Sequence, residues 1–344
     1  MVRLPFASPA DIFIGAGWGT SSTRRSKIEL GMTTSNSADA LPSSTGLSPS
    51  TTPITQTDLA ISTEPMSHIL PDEPLVVIQP GGFWVSFKLR ELWSYRDLLY
   101  FLMWRDVKVR YKQTLLGVLW VVLQPLFMML IFTIFFGRLA GIKSDGLPYS
   151  LFAYAGLLPW MFFAAAANTS GNSMVNNAAL LTKVYFPRLM VPAAPVGAAL
   201  VDFGISFVVL AALMIYWGVV PTWNLLMLPV LVLLLVTLTL GFGVLMSALN
   251  VKYRDIRLAL PFLIQVWFFA TPIIYPVSIV PERWRWVMSL NPMTGIVEGF
   301  RAALYGQNEF DWLALAISAI STLALFVYAA FTFQRMEKSF ADIV

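Results

Sequence analysis

The chain has 344 residues, of which 57% are hydrophobic and 12% are charged, and its mean hydropathy is +0.69. A soluble domain carries about 25% charged residues, so a surface this apolar has to face lipid. The absence of Cys excludes disulfides and thiolate chemistry, and a single His68 leaves almost no basis for a His metal site or a His general base. The net charge of +4 implies a nucleic-acid partner only if membrane topology does not explain it. The composition predicts a polytopic membrane protein.

The N-terminal region differs in composition from the rest of the chain. Ser, Thr and Pro dominate residues 20–65, and such a segment buries too little apolar area to offset the entropy of ordering it. We therefore predict a disordered tail over residues 1–73 and a membrane domain over residues 74–344. No signal-peptide pattern is evident. The composition changes at Met66, and a natural translation start there is a hypothesis.

Charged and aromatic residues interleave over residues 89–112. The longest uncharged stretch there, residues 98–104, is far shorter than the roughly 20 residues that a spanning helix needs. Trp and Tyr next to Lys and Arg are typical of a helix that lies in the membrane interface. The pattern predicts an amphipathic interface helix before the first span.

Six apolar runs of spanning length follow. They lie near residues 115–136, 147–168, 193–218, 225–249, 258–280 and 312–333. Residues 281–311, between the last two runs, are too apolar for an ordinary loop and too interrupted to span, which predicts short re-entrant helices. The fold class is thus an all-α membrane protein with six transmembrane helices.

The distribution of Lys and Arg gives the orientation. If the interface helix is cytoplasmic, most of the Lys and Arg side chains between positions 74 and 344 lie on the cytoplasmic side of the membrane. Both termini are then cytoplasmic, and topology accounts for the net positive charge without a nucleic-acid partner.

The spans contain essentially one ionisable residue, Asp202. A carrier driven by protons or ions needs more such groups inside the membrane, so we expect a structural pairing of Asp202 with a neighbouring helix or a boundary Arg, with direct contact to substrate as the alternative. No phosphate-binding loop of the Gly-x-x-x-x-Gly-Lys type occurs. The acidic residues predicted on the non-cytoplasmic side of the membrane are scattered along the sequence, which disfavours a metal site or an enzyme active site. They are Asp145, Glu282, Glu298 and Asp311.

Two predicted cytoplasmic segments offer charges and aromatics to a protein partner, although ordinary positive-inside anchoring explains the charges equally well. The first comprises Arg105, Asp106, Lys108 and Arg110, and the second comprises Lys183, Tyr185, Phe186 and Arg188. The Phe-Pro-Arg turn of the second segment is a candidate docking knob.

Aromatic residues inside two predicted spans are candidates for a sugar conduit, because aromatic faces stack on the apolar faces of sugar rings. Core packing and interfacial belts are alternative roles for each of them. The candidates are Trp160, Phe162, Phe163, Trp267, Phe268 and Tyr275.

The sequence resembles the permease subunit of the type-2 ABC exporters, in the polysaccharide and polyol-phosphate branch that includes O-antigen, capsule and teichoic-acid exporters. The matching stretches run in the family's order over about four-fifths of the chain. They are PLVVIQP (74–80), LRELWSYRDLLYFLMWRDVKVRYKQTLLGVLWVVLQP (89–125), GLLPWMFF (156–163), LLTKVYFPRLMVPAAP (180–195), NVKYRDIRLALP (250–261), TPIIYPVSIVP (271–281) and LNPMTGIVEGFRAALYG (290–306).

The resemblance implies a homodimer in the bacterial inner membrane, with two separate ATP-binding subunits docked on its cytoplasmic side. The two cytoplasmic segments would contact those subunits, and residues 271–306 would form short helices near the outer exit. The substrate would be a lipid-linked glycan, and ATP and Mg²⁺ would bind only to the partner chains. Two alternatives remain: a drug or lipid export permease of the same superfamily, and a membrane-bound glycan-modifying enzyme.

Overall fold

The computed structural model describes residues 93–112, 117–144, 146–183, 186–220, 222–306 and 310–343. The predicted tail, residues 1–73, lies outside these ranges. Every regular element within them is helical, so the all-α class is confirmed for the described part of the chain.

Ten α-helices follow one another in the described ranges. Three shorter helical segments extend or link them: Thr133–Leu139 continues α2 with π geometry, and Trp223–Met227 and Val277–Ile279 are 3₁₀ turns. The helices are α1 (Arg96–Lys112), α2 (Gly117–Phe132), α3 (Tyr149–Asn176), α4 (Ala178–Lys183), α5 (Met190–Tyr216), α6 (Leu228–Lys252), α7 (Ile256–Phe269), α8 (Glu282–Ser289), α9 (Pro292–Tyr305) and α10 (Trp312–Ile343).

Five helical segments are long and apolar enough to cross a membrane, and all five lie at predicted spans. They are Gly117–Leu139, Tyr149–Asn176, Met190–Tyr216, Trp223–Lys252 and Trp312–Glu337. The chain is therefore a multi-pass membrane protein.

The run predicted as a span over residues 258–280 differs from the other five. Its helix, α7, has 14 residues and is about 21 Å long at 1.5 Å per residue, which is less than the roughly 30 Å hydrocarbon core. The remainder of the run forms turns and a 3₁₀ segment. Pro272 and Pro276 explain the break, because each lacks the N–H of a continuing helix.

Helix α3 is the centre of the fold. In its most apolar stretch 78% of the residues are buried, against 11% in the span that contains α2. Helices α5 and α6 make its most extensive contacts, and α2, α7 and α9 also pack on it. The other spans thus keep apolar faces turned outwards, as lipid-facing helices do.

Glycine permits one close helix crossing. A Cβ added to Gly241 of α6 would lie 3.0 Å from the backbone Cα of Phe326 in α10. Because that neighbour is backbone, it cannot rotate away, and α6 and α10 can approach this closely only where one of them has no side chain.

Two helices, α8 and α9, follow the interrupted run. Asn291 caps α9 by accepting a hydrogen bond from the Met293 N–H at 3.0 Å, and Pro292 follows it at the first helical position. Gly306 ends α9 in the left-handed conformation at φ 60°. Helix α9 is buried along most of its length, whereas α8 is exposed.

Candidate functional site

Four of the six predicted conduit aromatics form one cluster where α3 meets α7. The Trp160 ring lies 5.5 Å from Phe268, and the Phe163 ring lies 4.9 Å from Trp267. Trp160 and Phe163 of α3 are buried, whereas Trp267 and Phe268 of α7 are half-buried. Phe242 of α6 extends the cluster, with its ring 5.3 Å from Trp267.

The other two predicted conduit aromatics lie elsewhere. Phe162 points to the opposite side of α3, where its ring is 5.4 Å from Phe203 of α5. Tyr275 is half-buried in the turns after α7. The structure therefore brings together Trp160, Phe163, Trp267 and Phe268, but not all six.

Side chains from α3 and from α9 with its cap bind the chain where α7 ends. Arg301 of α9 donates to the carbonyl oxygens of Pro272 at 2.8 Å and Ile273 at 2.7 Å, and Tyr149 of α3 donates to that of Ile274 at 2.6 Å. The Asn291 amide donates to Thr271 Oγ1 at 3.0 Å. We call residues 270–275 the α7 turn.

Arg301 is the most deeply buried charge in the described chain, with 3% of the residue exposed. Glu298, three residues earlier in α9, accepts its hydrogen bond at 2.7 Å. The guanidinium lies 3.6 Å from the Phe152 ring centroid, and the absence of a side chain at Gly156 makes room for it. Its charge is thus neutralised by Glu298, and its two terminal nitrogens donate to the α7 turn.

The Asn291 cap also connects the α7 turn to the aromatic cluster. Its Oδ1 accepts a hydrogen bond from Trp267 Nε1 at 2.8 Å, in addition to the one from Met293. One side chain therefore fixes the start of α9, the α7 turn and the orientation of the Trp267 indole.

The sequence prediction did not single out Arg301 or Asn291 as site residues. A signal for Arg301 was present, since Glu298 and Arg301 are three residues apart on an otherwise apolar helix and can pair across one turn. The signal for Asn291 was its place before Pro292 at a helix start.

Asp202 of α5 is held by α1. It accepts hydrogen bonds from Arg110 and Tyr111, which agrees with the expected pairing of this carboxylate with a boundary Arg. Burial raises the pKa of the Tyr111 hydroxyl, and the positive charge of the neighbouring Arg110 offsets only part of this increase. The raised value keeps the hydroxyl protonated, as a donor to Asp202 must be.

Helix α1 packs along the first turns of α5. Leu102 is buried against Met190 and Ala194, and Met103 occupies the space that a side chain at Gly197 would need. The Asp202 contact follows at the end of the same seam. Arg110, predicted to contact a partner protein, therefore lies on the α5 side of α1.

The remaining predicted α1 contacts differ in exposure. Arg105 donates to Asp106 at 2.8 and 3.0 Å, and both residues are half-buried. Lys108 is exposed, with its Nζ 5.4 Å from the Trp104 ring centroid.

The predicted docking turn before α5 has its aromatic residue inside the protein. Phe186 is 6% exposed and packs in a cluster formed by α3, α5, α6 and α10. Arg188 donates to the Glu337 carbonyl oxygen at 2.8 Å, and Lys183 is exposed at the end of α4. Tyr185 lies outside the described residues. Phe186 anchors the turn, and the surface of the turn is formed by other residues.

Within the described ranges, no group of three or more His, Asp or Glu side chains is arranged to hold a metal ion. The arrangement of the described residues is that of a helical membrane scaffold with an aromatic cluster and paired charges.

Comparison with known proteins gives one family and consistent relatives. Residues 97–305 match the family described as ABC-2 type transporter. The chain is 32% identical to the O-antigen export system permease protein RfbA of Myxococcus xanthus, over 74% of this chain and 98% of that protein. It is 28% identical to a Klebsiella pneumoniae protein of the same name over 72% of this chain and 95% of that protein. A polysialic acid transport protein of Escherichia coli, KpsM, is 25% identical over 68% of this chain and 91% of its own length.

We predict that the Arg110–Asp202 pair stabilises the attachment of α1 to α5. Changing Asp202→Ala leaves Arg110 without its carboxylate, and a hydrogen bond to a charged group contributes about 1.5–3 kcal/mol. The expected result is a lower thermal unfolding midpoint in detergent, and Asp255→Ala, which removes an exposed carboxylate, is the matched control.

The reciprocal variant, Arg110→Asp with Asp202→Arg, tests whether the pairing itself matters. It should recover part of the loss in the unfolding midpoint that either single change causes. Additive losses in the double variant would contradict the pairing.

Proposed function

The chain belongs to the ABC-2 type transporter family, and on that premise we propose that it is the membrane-spanning subunit of an ATP-driven exporter of lipid-linked polysaccharide. The observation that carries the proposal is the match to an O-antigen export permease over 98% of that protein's length at 32% identity. Five helices of spanning length support it. The substrate class is a glycan of the O-antigen, capsule or teichoic-acid type.

Transport by this chain requires an energy source on another protein. The sequence has no phosphate-binding loop, and the Asp202 carboxylate inside a span is already paired with α1. Two ATP-binding subunits that carry ATP and Mg²⁺ would supply the energy. We place them on the cytoplasmic side of the inner membrane, together with both termini of this chain.

The surface near α4 is the proposed docking site for an ATP-binding subunit. Lys183 is exposed there, while Phe186 and Arg188 tie the adjacent turn to α5, α6 and α10. A movement of the docked ATP-binding subunit at this surface would therefore be transmitted to several spans at once. Tyr185, Arg105 and Asp106 keep their predicted role as further contacts with that subunit, whereas Arg110 is paired with Asp202 of α5 and Lys108 lies on the face of α1 turned away from α5.

The sixth crossing is proposed to be completed by α7 and the α7 turn together. Helix α7 alone is too short to span, but irregular backbone is tolerated at membrane depth when protein satisfies it. Arg301 and Tyr149 do so for three successive carbonyls. Helices α8 and α9 would then be the short helices of the outer side.

We propose that two copies pair through α7 and α2. Phe262, Val266 and Phe269 lie exposed along α7, and the polar Gln265 is exposed beside them. Helix α7 is only about 21 Å long and exposes an amide. Contact with a second copy of the protein therefore suits this helix better than contact with a lipid core that is thicker than the helix is long. The α2 span, which lies next to α7 through the Phe132–Phe268 contact at 6.0 Å, is also mostly uncovered.

The sugar path is proposed to run between the copies beside the aromatic cluster. Trp267 and Phe268 are half-buried on α7 and are the nearest of the cluster to such a path. Trp160 and Phe163 would support them from behind, and Phe162 would have a packing role. Tyr275 would lie at the exit.

Deletion of the gene for this chain in its host tests the proposed substrate class. We expect loss of the surface polysaccharide and accumulation of its lipid-linked form inside the cell, both reversed by the wild-type chain. Normal surface polysaccharide with sensitivity to drugs or altered membrane lipid would instead support the drug or lipid export alternative.

Cysteine cross-linking tests the proposed pairing, because the natural chain contains no Cys. Single variants Phe262→Cys, Val266→Cys and Phe269→Cys in membranes should give disulfide-linked dimers on mild oxidation. Matched controls on α10 have similar exposure and should stay monomeric. These controls are Ile320→Cys, Leu323→Cys and Val327→Cys. Dimers from the α10 set alone would contradict pairing through α7.

A further inference from the structure

The face of α1 that is turned away from α5 carries a groove. The groove has a volume of about 350 Å³. Apolar or aromatic and cationic side chains line it together along one face of the helix: Phe101, Trp104, Arg105, Lys108, Val109 and Lys112. The opposite face of α1 is the one packed on α5.

The charges of α1 are not equally satisfied. Arg105 is paired with Asp106, and Arg110 is paired with Asp202. Lys108 and Lys112 have no carboxylate partner among the described residues, and both are exposed. Because they are four residues apart, their ammonium groups lie on the same face one turn apart. The groove therefore carries two adjacent positive charges that the described chain does not neutralise.

The apolar part of the groove is large and uncovered. Phe101 is 62% exposed, Trp104 47% and Val109 71%. Helix α2 begins only five residues after Lys112, and its first turns expose Val118, Leu119 and Trp120. The two lysines thus lie where an interface helix leads into a spanning helix, with apolar surface on both sides of them.

We propose that this groove binds the headgroup of an anionic phospholipid from the surrounding membrane. The phosphate lies between Lys108 and Lys112, and the acyl chains lie on Phe101, Trp104 and Val109 and continue along the exposed start of α2. The complementarity of two unneutralised lysines with a phosphate, beside apolar surface at the membrane boundary, selects this occupant. The bound lipid would hold α1 at a fixed depth. The proposal does not depend on which glycan is exported.

The test measures lipid retention by the full-length protein in detergent micelles that contain phosphatidylglycerol or phosphatidylcholine. Native mass spectrometry counts the bound lipids over a titration. We expect the wild type to prefer phosphatidylglycerol, and each of Lys108→Gln and Lys112→Gln to weaken its binding about fivefold, from about 1 kcal/mol per lysine near an anionic membrane surface. Higher salt should weaken it too.

Two controls keep the result interpretable. Lys252→Gln removes an exposed lysine that also lies over an aromatic ring, at 5.2 Å from the Tyr253 centroid, and it should leave phosphatidylglycerol binding unchanged. The double variant Lys108→Arg with Lys112→Arg keeps both charges and should retain the preference, which separates loss of charge from loss of fold.

Other occupants of the groove give different outcomes. Unchanged phosphatidylglycerol binding in both Gln variants overturns the proposal. So does loss of binding to the ATP-binding subunits in those variants with lipid retention intact, which would make the groove a protein contact. A preference for a polyprenyl phosphate that phosphatidylglycerol does not displace would assign the groove to the lipid-linked substrate.

Discussion

The fold depends on the requirement that backbone polar groups away from water be satisfied by protein. An unpaired carbonyl in an apolar environment costs several kcal/mol, and regular helices avoid this cost internally. Where α7 ends, three successive carbonyls lose their helical donors and are satisfied by Arg301 and Tyr149. Asn291 completes the arrangement through Thr271 and Trp267. This support allows a short helix to stay packed on α3 with its aromatic residues in place.

Charge inside the protein follows the same rule. Arg301 is neutralised by Glu298, and Asp202 is neutralised by Arg110 with a further hydrogen bond from Tyr111. Each arginine joins separate parts of the chain: Arg301 joins α9 to the α7 turn through its hydrogen bonds to the carbonyl oxygens, and Arg110 joins α1 to α5. Charges used in this way hold the scaffold together, and a permease whose energy comes from an ATP-binding partner has no need for further ionisable groups within its spans.

Hydropathy alone predicted five of the spans, because length and apolarity are sufficient for a helix that lipid surrounds. It predicted a full sixth span over residues 258–280, since apolarity continues past Phe269 while Pro272 prevents the helix from continuing. The Phe-Pro-Arg turn is predicted to be a docking knob, but its Phe186 is buried, and that burial depends on α6 and α10, which are distant in sequence. Four of the aromatic candidates lie together where α3 and α7 face each other, and their role in a sugar conduit stays a prediction. Which side of α3 Phe162 faces depends on tertiary packing that periodicity does not fix.

The most direct test of the account is reconstitution of the chain in proteoliposomes with and without its ATP-binding subunits. The lipid-linked polysaccharide would be supplied on the side where those subunits bind, and its appearance on the other side would be followed over time. We expect movement only when the subunits and ATP are both present. Equal movement by this chain alone, or chemical alteration of the glycan by this chain alone, would contradict it.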